Sequence, residues 1–135
     1  MADTETSPEH IVFVFTDQMR ADCIGAFGHP VVRTPTLDAL AAEGVSFRQV
    51  TTQAPLSVPA RMSLFTGRYV HQHGCVGNHR GLWPETDNFV RAMRDAGMRT
   101  ACQGKLHLFW RHDNELLMSD PMLRTFGFTD PMETT

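Results

Sequence analysis

Ser57 stands two residues before Pro59 and four before Arg61, in the run Ser57-Val58-Pro59-Ala60-Arg61. Proline suits the first turn of a helix, where its missing N–H would find no intrahelical partner anyway. An oxygen at Ser57 would then lie over free backbone N–H groups at the positive end of the helix dipole, with a guanidinium one turn further in. Such a setting suits a nucleophile that attacks an anionic sulfur or phosphorus centre. A serine-capped helix with a surface arginine would use the same five residues. The rest of the chain has to decide between them.

Two further polar groups raise the chemical reading. Asp17-Gln18 offers a carboxylate and an amide oxygen, donors suited to Ca²⁺, Mg²⁺ or Mn²⁺, although a lone aspartate at such a place also serves as a turn or capping residue. Lys105 and His107 alternate about Leu106, so an extended backbone would turn both toward one face. The segment His71-Gln72-His73-Gly74-Cys75, with His79 beyond, has zinc-type ligands, but its spacing matches no standard structural zinc pattern. Asn78 in the same stretch is a candidate hydrogen-bond donor to substrate, or an amide solvated by water.

The elements that must carry these groups read as an α/β fold, a largely parallel sheet with flanking helices. Ile11-Val12-Phe13-Val14-Phe15 is a continuous apolar run of the kind buried on both faces of a parallel sheet. A helix is predicted from Thr34-Pro35-Thr36 to a stop at Gly44, and a second strand over Val45 to Val50. The next helix covers Pro59 to Thr66 and closes at Gly67, followed by a long loop from Tyr69 to Trp83. Pro84-Glu85-Thr86-Asp87 introduces a further helix ending at Gly97, and Met98 to Gln103 is a third strand. Beyond Leu108 the pattern weakens, and Gly127 to Pro131 reads as a turn. Asp17 and Gln18 follow the first strand, Ser57 and Arg61 the second, Lys105 and His107 the third. Ligand sites in open α/β sheets lie beyond the carboxyl ends of strands, so the three motifs are expected at one rim.

Composition narrows the classes. The 135 residues have a net charge of -3 and 41% hydrophobic content, enough for one core and without a basic stripe for nucleic acid or an anionic membrane. No apolar run approaches a membrane span. Residues 1–9 read as a polar, disordered lead-in without a signal-peptide core. Cys23, Cys75 and Cys102 are odd in number and widely spaced, which points away from a disulfide framework and toward the cytoplasm. No GxGxxG follows the first strand, which argues against dinucleotide binding.

Taken in order, the motifs resemble the N-terminal part of a sulfatase, in the alkaline phosphatase-like superfamily. The resemblance runs from about Ile11 to Leu108. It rests on Thr16-Asp17-Gln18, on Arg33-Thr34-Pro35-Thr36-Leu37 through Gly44-Val45-Ser46-Phe47, and on Pro55-Leu56-Ser57-Val58-Pro59-Ala60-Arg61. Thr66-Gly67-Arg68-Tyr69 with His71 and His73, and Gly104-Lys105-Leu106-His107-Leu108, complete it. Residues 10–135 would then be the N-terminal part of a sulfatase catalytic domain, a truncated version of the fold.

That resemblance implies a sulfuric-ester hydrolase acting on a small-molecule sulfate ester. Ser57 would be oxidised by a maturation enzyme to formylglycine, and Arg61 would hold the modified side chain. Asp17 and Gln18, with residue 57, would bind a divalent metal, Ca²⁺ first and Mg²⁺ or Mn²⁺ as alternatives. Lys105 and His107 would bind the sulfate and the modified residue, and Asn78 would contact substrate. Many members carry two adjacent aspartates, whereas this chain has Asp17 then Gln18, which resembles the branch containing phosphonate monoester hydrolases and some bacterial sulfatases. Sulfate against phosphonate or phosphodiester therefore stays open, as does an inactive anion-binding fragment. Family members are several times longer and supply further metal ligands, so the 135 residues alone are expected to be inactive.

Overall fold

The computed structural model describes residues 10–81, 83–108 and 119–132. The expected lead-in over residues 1–9 lies outside them. The chain divides into two compact units, Met1–Val50 and Thr51–Thr135.

The first unit contains two short 3-10 turns, Ala21–Cys23 and Gly25–Phe27, and helix α1, Pro35–Glu43. Asp38 organises it. Its carboxylate accepts from the Ala26 N–H at 2.7 Å and from the Thr34 hydroxyl at 2.8 Å, while Thr34 Oγ1 accepts from the Gly25 N–H. Arg48 lies over the Phe27 ring and donates to the Ala26 carbonyl.

Two predicted strands are absent from this unit. Residues 11–15 and 45–50 enter no sheet ladder among the described residues, and their apolar side chains are exposed. Phe13 and Phe15 stack with ring centroids 6.0 Å apart, as residues two apart do on one face of a strand. A strand meant for burial on both faces is defined by its neighbours, and none of the described residues lies alongside as one.

The second unit holds helices α2, Ser57–Thr66, α3, Val70–His73, α4, Phe89–Asp95, and α5, Asp120–Phe126, with strands β1, Ala101–Gln103, and β2, Asp130–Met132. Strands β1 and β2 pair in parallel, Cys102 opposite Pro131, and the Gly104 N–H extends the ladder to the Met132 carbonyl. Residues 127–131, expected as a turn, thus run into a strand. Pro131 has no N–H to donate, which is tolerated because both strands of this sheet are edges among the described residues.

Helix α2 is central to the core. Val58, Met62 and Phe65 recur at helical spacing and are buried with Val90 of α4, Leu123 and Phe126 of α5, and Leu106, Leu108 and Phe128. Phe65 stacks on Phe89 at 5.1 Å and meets the edge of Phe126 at 5.6 Å. Met62 is fully buried, and its truncation to alanine would cost about 2–5 kcal/mol.

Helix α4 begins five residues later than Pro84 suggests. Asn88 is its cap: Oδ1 accepts from the Arg91 N–H at 3.0 Å, while Nδ2 donates to the carbonyls of Thr86 and Phe126 at 2.9 and 2.8 Å. Helix α5 meets α4 at Gly127, whose φ is 138°. A Cβ there would lie 2.7–3.0 Å from backbone atoms of Val90 and Arg91, so only glycine permits this approach. Among the described residues no helix is long and apolar enough to cross a membrane.

Candidate active site

Helix α2 starts at Ser57 itself, two residues before the predicted start at Pro59. Leu56, extended at φ -122° and ψ 146°, is the N-cap and its carbonyl accepts from the Ala60 N–H. Ser57 is therefore the first helical residue and does not cap. Of the donors at the helix start, Pro59 has none, and the Val58 N–H goes to Asn78 Oδ1 at 3.0 Å. The Ser57 hydroxyl is left for other partners.

Those partners come from elsewhere in the unit. Ser57 Oγ lies 2.9 Å from His107 Nδ1 and accepts from Arg61 Nε at 3.2 Å. The Arg61 N–H occupies one lone pair of Oγ, and the imidazole tautomer sets which of Ser57 and His107 donates across the 2.9 Å contact. The geometry can hold or move a proton at that oxygen.

Arg61 is buried, 3% exposed, on the same helix one turn on. Its NH1 donates to the carbonyls of Lys105 and Leu106 at 3.0 and 3.2 Å. The guanidinium thus fastens α2 to the segment after β1 while presenting Nε to Ser57. Charge-assisted bonds of this kind offset the desolvation of a buried cation.

The segment after β1 is not extended as expected. His107 has φ +49°, in the left-handed region, and so does Gln18 at φ +51°. These are the two non-glycine residues with positive φ among the described residues, and both were singled out from the sequence. Such a backbone costs about 1–2 kcal/mol for a side chain with a Cβ, and strain of this kind gathers where function over-determines the structure. Burial still alternates: Lys105 is exposed, Leu106 and Leu108 are buried, and His107 is half-buried. Lys105 contributes its carbonyl to Arg61 and leaves its side chain at the surface.

The stretch expected as a loop after Tyr69 contains α3 and a tight turn. His73 Nδ1 accepts from the Cys75 N–H at 3.1 Å, so its Nε2 carries the proton toward Ser63 Oγ at 2.9 Å. Burial pushes the His73 imidazole below its ordinary value. The Cys75 thiol is buried, which raises its pKa, and donates to the Arg80 carbonyl at 2.8 Å. Both groups have structural partners within the fold. Among the described residues no three of His, Cys, Asp and Glu gather as a metal site.

Asp17 and Gln18 belong to the first unit, both exposed, at a bend that follows the apolar run. Their oxygens are of the type a hard cation takes. Two such oxygens fall short of the six or more that a hard cation prefers. The donors fit in kind, and the ion would need further ligands.

The second unit therefore brings together Ser57, Arg61, Asn78, His107 and the Lys105 backbone. Sequence reasoning missed the Asn78 cap and the carbonyl grip of Arg61. Neither leaves a sequence signal, because one partner in each bond is main chain.

These features have relatives. The chain belongs to the sulfatase family, whose model matches residues 9–134. It is 37% identical over 101 residues to an arylsulfatase of Clostridium perfringens, covering 74% of this chain and 21% of that protein. The structure resembles a protein solved with its substrate D-glucosamine-2-N,6-O-disulfate, with a TM-score of 0.63 and 29% identity over 67% of this chain and 18% of that one. It also resembles the phosphonate monoester hydrolase of Agrobacterium radiobacter, with a TM-score of 0.66 and 32% identity over 87% of this chain and 23% of that one. The fold is of the α/β, alkaline phosphatase-like class, represented by its N-terminal portion. The chain spans about a fifth of the length of the curated relatives it matches.

Proposed function

We propose that the protein is a sulfuric-ester hydrolase of the arylsulfatase kind, and that residue 57 carries its nucleophile. The observation that supports this most is the Ser57 oxygen held between His107 Nδ1 and Arg61 Nε at the head of a helix, in a chain of the sulfatase family. In this reading the oxygen at residue 57 forms the new bond to sulfur, the ester S–O bond breaks, and the alcohol leaves with a proton. His107 manages the proton at the attacking oxygen. Arg61 and Lys105 balance charge on the sulfate oxygens, and Asn78 Nδ2 donates to substrate.

Formylglycine, made from Ser57 by a maturation enzyme, would supply a second hydroxyl on the same carbon, so that sulfate leaves without water attacking sulfur. A divalent cation, Ca²⁺ first and Mg²⁺ or Mn²⁺ as alternatives, would be held in part by Asp17, Gln18 and residue 57 and would acidify the attacking hydroxyl. Conversion of Ser57 is checked by mass spectrometry of its peptide, which should lose two hydrogens. The cytoplasm is the proposed compartment, with no nucleic-acid or membrane partner, and fractionation of the producing cells tests the placement.

A second reading, a phosphonate monoester or phosphodiester hydrolase, is favoured by Gln18 after Asp17 and by the likeness to the Agrobacterium enzyme. Hydrolysis of p-nitrophenyl sulfate and of a phenylphosphonate ester by the full-length protein separates the two. Faster turnover of the sulfate supports the sulfatase reading, and faster turnover of the phosphonate replaces it. If the segment is instead an inactive anion-binding module, Ser57→Ala would leave binding of inorganic sulfate intact and residue 57 would never change mass.

A further inference from the structure

Helix α2 is fastened to the segment after it at two points on its length. Near its C-terminal end, Ser63 Oγ engages His73 Nε2 at 2.9 Å; at its first turn, the Val58 N–H donates to Asn78 Oδ1 at 3.0 Å. Between these points the chain is tightly tied. His73 Nδ1 takes the Cys75 N–H, the buried Cys75 thiol donates to the Arg80 carbonyl, and the Arg80 N–H closes a turn onto the Gly77 carbonyl. Asn78 sits inside that turn. Its backbone is held by groups that do not touch Ser57, and its side-chain oxygen caps the residue next to Ser57.

We infer that Asn78 is a positioning residue: through its Oδ1 bond to the Val58 N–H it holds the first turn of α2, so that the oxygen of residue 57 stays between His107 and Arg61. This deepens the proposed function and rests on residue 57 being the reacting group. It assigns the two ends of the Asn78 amide to different tasks. The carbonyl oxygen holds the helix start, whereas only the Nδ2 end remains to face an anion.

Alanine and aspartate at this position separate those tasks. Asn78→Asp keeps an acceptor for the Val58 N–H, and a carboxylate is favourable at a helix N-terminus, but it loses the donor and adds a charge that repels an anionic ester. Asn78→Ala loses both. In the full-length protein, hydrogen exchange of the peptide spanning residues 56–62 should be about fivefold faster for Asn78→Ala at the Val58 amide and unchanged or slower for Asn78→Asp. With p-nitrophenyl sulfate, Asn78→Ala should lose about tenfold to a hundredfold in kcat through misplacement of the reacting oxygen, whereas Asn78→Asp should lose mainly in KM.

Equal losses of kcat in the two variants, or unchanged exchange in Asn78→Ala, would overturn the assignment. Cys75→Ala gives a second arm, since it loosens the turn without touching the Asn78 amide. It should move exchange and kcat in the direction of Asn78→Ala, and wild-type behaviour in both would count against the brace. An inactive wild-type protein would defeat the hydrolase reading, while exchange would still decide whether Asn78 holds the helix start.

Discussion

His107 Nδ1 reaches to 2.9 Å from the Ser57 hydroxyl from a backbone held at φ +49°, and the two residues are 50 positions apart in the chain. The bond is therefore a product of tertiary structure, set by α2 on one side and by the turn after β1 on the other. Removing either partner tests different things. In the full-length protein, Ser57→Ala should abolish turnover of p-nitrophenyl sulfate with the fold retained. His107→Ala keeps a Cβ at the left-handed backbone and so keeps its strain, whereas His107→Gly relieves it; stability is expected to hold or rise slightly only in the glycine variant, while kcat falls by about a hundredfold or more in both. Denaturant melts alongside the kinetics check both.

Arg61→Lys is not a conservative change here. The guanidinium makes directed bonds to Ser57 Oγ and to the Lys105 and Leu106 carbonyls, and a single ammonium cannot reproduce that fork. Leaving one of those carbonyls without its donor is expected to cost about 1–3 kcal/mol. Denaturant unfolding of the variant measures the loss, and turnover should fall with it.

Two changes at the α4 and α5 junction should destabilise without chemistry being involved. Asn88→Ala removes a cap and strips the Phe126 carbonyl of its buried donor, for about 2–3 kcal/mol in total. Gly127→Ala forces a methyl against the α4 backbone and is expected to cost about 1–3 kcal/mol or more. Asn88→Asp should recover the cap but not the Phe126 bond, and so fall between wild type and alanine. Unfolding midpoints rank the set.

Stability should depend on pH through His73. Burial lowers its pKa from the ordinary 6.5, and its Nδ1 accepts the Cys75 N–H, which requires the neutral ring. Below 6.5 the unfolded chain therefore binds a proton that the native one resists. Stability is complete above that value and is lost as pH falls toward the lower native pKa, below which the dependence flattens. His73→Gln should remove this part of the slope, seen as a smaller difference in denaturant midpoint between neutral and mildly acidic pH.

The 135-residue chain on its own is expected to show no arylsulfatase turnover and only weak binding of Ca²⁺, because the two candidate oxygens of Asp17 and Gln18 are too few ligands. The full-length protein should lose activity on chelation and regain it with Ca²⁺. Turnover by the isolated chain would contradict the reading of an incomplete site.

Much of the site was readable before the structure because motif residues carry side chains that do chemistry. Ser57, Arg61 and His107 do meet, and Lys105 joins them through its backbone. What sequence could not reveal falls into two physical kinds. The Asn88 and Asn78 caps depend on which distant N–H or carbonyl lies opposite, and hydrophobic periodicity does not encode that. The opposite error concerns Ile11 to Phe15 and Val45 to Val50, whose apolar patterns are right for strands. Pairing is a property of two segments, and among the described residues no second segment pairs with either. Strand β2 was hidden for a third reason: Gly127 and Pro131 are turn formers by composition, yet Thr100 and Thr129 lock that segment beside β1 through reciprocal hydroxyl and main-chain bonds.

Because Arg61 grips oxygens of the main chain, the tether is indifferent to which side chains hang from positions 105 and 106. Substituting Lys105 should therefore leave the scaffold moored, and on the proposed function it would change only the charge offered to the transferred anion. That makes residue 105 a natural place to begin a selectivity library, with the guanidinium acting as a fixed anchor beneath it.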